Sequence, residues 1–486
     1  MNKKLLSVTI IVVTSFFGLS GADLAAGSGP TAEATSTASP GAVATPAAQP
    51  AFGAAGNGAH EPDQIWNWHV QNTDVYQGDW GFPAKYSGPQ SLNSKGEAQE
   101  TVSLDLFAGL RLWRGAELHL DGLMWQGFGL SNTFGIEAFP SGDAYKFGTD
   151  EPYVQISQLF IRQTIGLGGE QEDVPDDELT LAGKQDISRL TFTIGRLTPS
   201  DSFDNNTYAE NPHTQFMNWA LVANLAWDYP ADTVGYTTGL TVELNQPNWT
   251  VRYGFFQLPS VQNGLTVEDQ YFQWRPGGAD GPFLRSWGMA AEFERRYSIN
   301  GHTGAIRLMP WLNEADMASY HAATAILVAK GPGANISAAQ AYRYKYGFGL
   351  NWEQEIAKNV GAFSRLGWND GHEEAWVYTD ANWTASLGTS IKGGWWERSG
   401  DTFGVAGILS GASRDTQKFL GAGGLGILAG DGALSYSCEK VLETYYDLLV
   451  WGPFHTTMDY QFVSDPAFNR DRGPVSILGI RVHWEL

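Results

Sequence analysis

The chain has 486 residues with 58 glycines, 19 tryptophans and 13% aromatics, and only 17% charged residues, below the roughly 25% of a soluble globular protein. Its formal charge of -22 excludes a basic nucleic-acid-binding surface, and the single Cys438 excludes an intrachain disulfide and a cysteine-held metal or iron-sulfur centre. Hydrophobic residues make up 43% while mean hydropathy is -0.24, so the apolar side chains are dispersed and not gathered into membrane-spanning helices.

The N-terminus reads as a secretory signal over residues 1–26. Lys3 and Lys4 form the basic region, Leu5 to Leu19 form an apolar run of 15 residues, and small residues follow around Ala22 and Ala26. That run is shorter than the roughly 20 residues a bilayer-spanning helix needs, so export and removal fit better than anchoring. Residues 27–60 are dominated by Ala, Pro, Ser, Thr and Gly, with Phe52 the one large aromatic, and read as a disordered lead-in. A barrel domain is assigned to 61–486, with organised structure starting near Trp66.

From there to the C-terminus the pattern has period two. Val102, Leu104, Leu106, Ala108 and Leu110 share one face, opposite Ser103, Asp105, Phe107 and Arg111. Leu118, Leu120 and Met124 alternate with Glu117, His119 and Asp121, and Tyr344, Tyr346, Phe348, Leu350 and Trp352 with Lys345, Asn351 and Glu353. Phe454 to Phe462 repeats the pattern against His455, Thr457, Asp459 and Gln461. Each run is about as long as a tilted membrane strand, roughly 9 to 11 residues. A face carrying Glu, Asp, Arg, Lys and His suits a water-filled lumen, and the opposite face suits acyl chains. Trp249, Trp352, Trp383, Tyr445, Tyr446 and Trp451 fall near strand ends, where membrane interfaces favour amphipathic rings. The chain ends inside such a strand, with Leu478, Ile480, Val482, Trp484 and Leu486 on one face.

About 425 residues follow the lead-in, and at about 25 to 28 residues per strand with its connection they make roughly 16 strands, with fourteen and eighteen as alternatives. The fold class is an all-β transmembrane antiparallel barrel with inward loops and short loop helices. A helix is expected within Asp316 to Lys330, and the glycine-rich stretch Arg414 to Asp431 is expected to fold inward as the constriction.

Catalytic motifs are absent or weak. Gly421, Gly423 and Gly426 satisfy G-x-G-x-x-G, but their surroundings are loop-like and lack the strand-turn-helix context that a dinucleotide needs. His372-Glu373-Glu374 has no second histidine one helical turn away and reads as a polar turn. There is no G-x-S-x-G elbow, so no enzyme and no cofactor is assigned.

The segment Asp465-Pro466-Ala467-Phe468-Asn469-Arg470-Asp471-Arg472-Gly473-Pro474 before the last strand resembles the carbohydrate-selective porin family typified by OprB. So do Gly423-Gly424-Leu425-Gly426, Gly430-Asp431-Gly432, Glu443-Thr444-Tyr445-Tyr446, Trp125-Gln126-Gly127-Phe128-Gly129 and Gly195-Arg196-Leu197. The likeness spans most of Glu100 to Leu486, although Leu486 stands where barrel signals end in Phe or Trp. It implies a monomeric or trimeric 16-strand outer-membrane barrel passing glucose and related sugars by diffusion, narrowed by inward loops and lined by arginine and acidic side chains. Outer-membrane lipids, lipopolysaccharide and the barrel-assembly machinery are the further partners expected.

Inward parity together with family position selects Arg111, Glu117, Asp121, Arg162, Arg196, Glu443 and Asp447 as pore lining, with Trp125 as a stacking surface for a sugar ring. The competing reading is that each merely forms salt bridges across the wall. At the level of the whole protein, the competitor to a porin is a secreted all-β carbohydrate-binding or carbohydrate-active protein, which would be soluble without detergent.

Overall fold

A computed structural model describes residues 63–144, 148–265 and 284–486. The expected signal (1–26) and lead-in (27–60) lie outside the described residues.

Eighteen strands are described: β1 (Trp66–Asp79), β2 (Glu97–Trp113), β3 (Ala116–Gly127), β4 (Thr149–Gly166), β5 (Gln171–Val174), β6 (Gly183–Asp186), β7 (Arg189–Leu197), β8 (Thr237–Gln246), β9 (Trp249–Leu258), β10 (Ser286–Ile299), β11 (His302–Ala318), β12 (Gln340–Ala357), β13 (Val360–Asn369), β14 (Trp383–Lys392), β15 (Thr402–Gly411), β16 (Glu439–Trp451), β17 (Phe454–Ser464) and β18 (Val475–Glu485). All but β5 and β6 form one closed antiparallel barrel, sealed where β1 pairs with β18 from Gln71↔Glu485 to Asp79↔Ile477. Closure removes the unpaired edge that could not exist in hydrocarbon. The sixteen barrel strands agree with the number expected from length. Several exceed the expected length, β4 and β12 reaching 18 residues.

Alternation follows the two solvents. Leu106, Leu110, Tyr344, Phe348, Leu478 and Ile480 are exposed on the outer wall. Asp105, Asp121, Lys345, Asp459 and Arg481 point inward and are buried. Exposed aromatics mark both rims, with Trp66, Trp113 and Trp451 at one end and Tyr76, Tyr344 and Trp368 at the other. Tyr445 corrects the expectation of an interface ring: it shares the inward parity of Glu443 and Asp447 and packs edge-on against Phe216 at 4.8 Å between centroids, almost wholly buried.

At one end the strands are joined mostly by two-residue turns, as at Asn300-Gly301, where φ of 53° and 85° suits Asn-Gly and gives the twist that a hairpin needs. Both barrel termini lie at this end. The opposite end carries the longer connections, including 128–148, 198–236, 370–382 and 412–438. Among the described residues the α-helices are α1 (Trp219–Val222), α2 (Tyr320–Lys330) and α3 (Arg414–Gly421). The helix expected from Asp316 starts later because Asp316 to Ala318 still pair with β12. The stretch 414–431 folds inward, its Ile427 and Leu428 joining the buried luminal cluster with Phe160 and Leu197, although it is not alone in doing so. It is helix α3 followed by a buried turn, whereas 198–236 reaches furthest round the inner wall.

Candidate functional site: the barrel lumen

The segment 198–236 makes a circuit of the inner wall. Near its start Asp201 accepts from Gln158 Nε2 on β4 at 3.1 Å. Asp204 then reaches β13, where Arg365 Nε lies 3.0 Å from Asp204 Oδ2 while the same guanidinium donates to the carbonyls of Asp204, Ala209 and Leu221. Asn351 of β12 adds two contacts to Asp204 at 2.8 Å. On the far wall Arg481 of β18 donates to Pro212 O at 2.5 Å and Gln215 O at 2.9 Å, and Glu443 of β16 accepts from the backbone N–H of Met217 at 2.7 Å and of Asn218 at 3.1 Å. The segment returns past Lys345, 3.4 Å from Asp228, to β7, where Arg196 pairs with Asp232 at 3.1 Å.

The same device recurs between loops. Glu439 accepts from the N–H groups of Glu137, Ala138 and Ala467 at 3.0, 2.8 and 2.7 Å. Asp380 accepts from Ile427, Leu428 and Ala429 at 3.0 to 3.1 Å, and Asp228 from Trp376 and Val377 at 2.9 and 3.0 Å. Irregular backbone at membrane depth is stable only if its polar groups find partners, and here carboxylates supply acceptors for N–H groups that no sheet satisfies. Glycines supply the room. A Cβ on Gly361 would lie 1.9 Å from the Tyr208 ring, and one on Gly367 would lie 2.0 Å from Asn224 Oδ1.

These contacts leave a polar rim open to water. Asp201 and Thr207 are exposed, and Glu210, Asn211 and His213 are half-buried, with His213 Nε2 3.0 Å from Asp143 Oδ1. Burial and the neighbouring carboxyl groups of Asp380 and Glu439 hold the fully enclosed Glu137 well above the usual carboxylate range. Burial likewise lifts Glu374 to about 7.

All eight residues selected from the sequence sit on barrel strands. Trp125 is fully enclosed, its Nε1 donating to Asp143 O at 3.0 Å. Asp121 is buried and takes a bond from the Ser157 hydroxyl. Asp447 accepts from Thr457 Oγ1 at 2.8 Å and lies 2.7 Å from His455 Nδ1. Glu443 and Arg196 hold the inserted segment, as described above. Arg111, Glu117 and Arg162 cluster toward the short-turn end, with Arg111 3.3 Å from Glu117 and Arg162 donating to Leu179 O at 2.6 Å. Sequence reasoning missed Arg365, Arg481, Asp204 and the water-facing rim. The available signal was length, since 198–236 is far too long for a passive turn.

A family described as carbohydrate-selective porin, OprB family, matches residues 89–486. The chain belongs to this family. It is an outer-membrane porin for small carbohydrates, and porins of this family and fold are channels. The high-pH structure of Pseudomonas putida OprB has the same fold, at 16% identity over 87% of this chain and 94% of that one, with a TM-score of 0.63. The outer-membrane channel DcaP of Acinetobacter baumannii aligns at 8% identity over 87% of the porin and 97% of its own chain, with a TM-score of 0.46. No curated protein matches the sequence. The apolar outer wall and the polar inserted segment are what a membrane channel requires, and they disfavour the soluble carbohydrate-binding alternative.

Proposed function

We propose that the porin passes small neutral sugars, monosaccharides such as glucose foremost, by diffusion past the polar rim of segment 198–236, with no catalytic step. The observation that carries this reading is the pinned circuit itself. Buried charge pairs fix the segment, and the groups left facing water include Asp201, Thr207, Glu210, Asn211 and His213. Alternating donors and acceptors can replace part of a sugar's hydration while binding too weakly to stop flux.

In this reading the sequence-selected residues divide by exposure. Arg111, Glu117 and Arg162, which keep some access to water, meet the solute or shape its exit. Asp121, Trp125, Arg196, Glu443 and Asp447 act from behind by fixing the wall and the loop. Residues 1–26 act as an export signal and are removed, and residues 27–60 are a lead-in to the barrel domain. Outer-membrane lipid and lipopolysaccharide surround the apolar band, the barrel-assembly machinery inserts the chain, and the assembly is a homotrimer or monomer. Liposome swelling with sugars of graded size is the test. Swelling that falls steeply from monosaccharides to trisaccharides is expected, and insertion without swelling for any sugar would refute the reading.

A further inference from the structure

The connection between β4 and β7 breaks the pattern of its end of the barrel. Where neighbouring turns have two residues, residues 167–188 carry the β5–β6 hairpin, and the stretch inside that hairpin folds onto the inner wall. Asn67 Nδ2 of β1 donates to Asp176 Oδ1, Asp177 O and Thr180 O at 2.8, 2.9 and 3.0 Å. Gln64 brackets Ala182, its N–H donating to Ala182 O at 2.9 Å and its Oε1 accepting from Ala182 N at 2.7 Å. Arg111 of β2 donates to Ala182 O at 3.4 Å and Arg162 of β4 to Leu179 O at 2.6 Å.

The fit is apolar as well. Leu179 packs against the luminal cluster containing Phe160 and Leu197, and Leu181 is 2% exposed. Leu181 lies over Gly109, where an added Cβ would sit 3.2 Å from Leu181 Cδ2 and 2.3 Å from Asn67 Oδ1. A surface loop would not bury a leucine inside a hydrated channel, nor require a glycine in the wall beneath it.

We infer that residues 175–182 are a second, exit-side constriction, a strap across β1, β2 and β4 that sets the largest sugar able to leave the lumen. This rests on the porin reading and assigns Arg111 and Arg162 the task of positioning the strap. The rim of 198–236 filters by hydrogen bonding, and the strap then filters by size.

Two variants and one wild-type measurement test it in planar bilayers and liposomes. Residues 169–186 are replaced by Asn-Gly, the dipeptide already used at 300–301, and separately Gly109→Leu fills the slot under Leu181. Each is expected to raise single-channel conductance about twofold or more and to admit trisaccharides that the wild type excludes. For the wild-type barrel, polyethylene glycols of graded size added from the short-turn side should be excluded at a size no larger than from the loop side. Free entry of larger polymers from the short-turn side overturns the strap even if neither variant folds, as do inserted variants with wild-type conductance and cut-off. A silent wild-type barrel that conducts once the strap is removed would sink the porin reading and keep the strap.

Discussion

Arg365→Met tests whether segment 198–236 is held by charge. The guanidinium is fully enclosed, pairs with Asp204 at 3.0 Å, and donates to the backbone carbonyls of Asp204, Ala209 and Leu221. Methionine keeps most of the volume but removes every donor, leaving the buried Asp204 carboxylate with Asn224 N–H at 2.7 Å and Asn351 Nδ2 at 2.8 Å. Hydrogen bonds to charged groups contribute about 1.5–3 kcal/mol each and do not add simply, and stripping one partner from a buried pair costs about 3–5 kcal/mol. At about 1.4 kcal/mol per tenfold, the undocked segment gains roughly two to three and a half orders of magnitude in population. Single-channel recordings should show larger, noisier openings, while heat-modifiable gel migration confirms an intact barrel. An inserted Arg365→Met barrel with wild-type conductance and noise would refute the claim that this segment narrows the channel.

Gly361→Val should have a related effect by steric means, since its Cβ would fall 1.9 Å from the Tyr208 ring; expelled from its slot, Tyr208 loosens the same segment and conductance rises. Leu106→Arg places a charge on the outer wall, where Leu106 is 53% exposed, and should lower folding stability in lipid vesicles by about 2–4 kcal/mol if the site is near the midplane; Leu106→Ala should cost less. The pH dependence follows from Glu374, whose pKa rises from 4.5 to about 7 because burial disfavours its charged form. The folded state therefore holds this proton more tightly than the unfolded chain, so its contribution is complete below pH 4.5 and is lost as pH climbs through 7. Thermal unfolding in detergent should fall across that window, and Glu374→Gln should flatten the slope; an unchanged slope contradicts the assignment.

Two facts about this protein are local and therefore legible in the sequence. The wall separates lipid from water, and because successive strand residues point to opposite faces, that boundary is written as a period of two. Hence Leu104 and Leu106 against Asp105, or Ile480 and Val482 against Arg481, read as strands with one apolar and one polar face; aromatics near strand ends favour a barrel over a soluble sandwich, and length gives roughly sixteen strands, with fourteen and eighteen as alternatives. The inward parity of Glu443 and Asp447 also covers Tyr445, which strand-end position alone assigns to the wrong face.

What fills the barrel is decided only by tertiary structure. Met217 N–H meets Glu443 across 226 residues of sequence, and Arg365 meets Asp204 across 161. Nothing near 198–236 in the chain announces those partners, and the same holds for Leu181 above Gly109. A residue's side of the wall depends on its neighbours in sequence, whereas a buried carboxylate or arginine in the lumen serves whichever backbone the closed barrel brings to it.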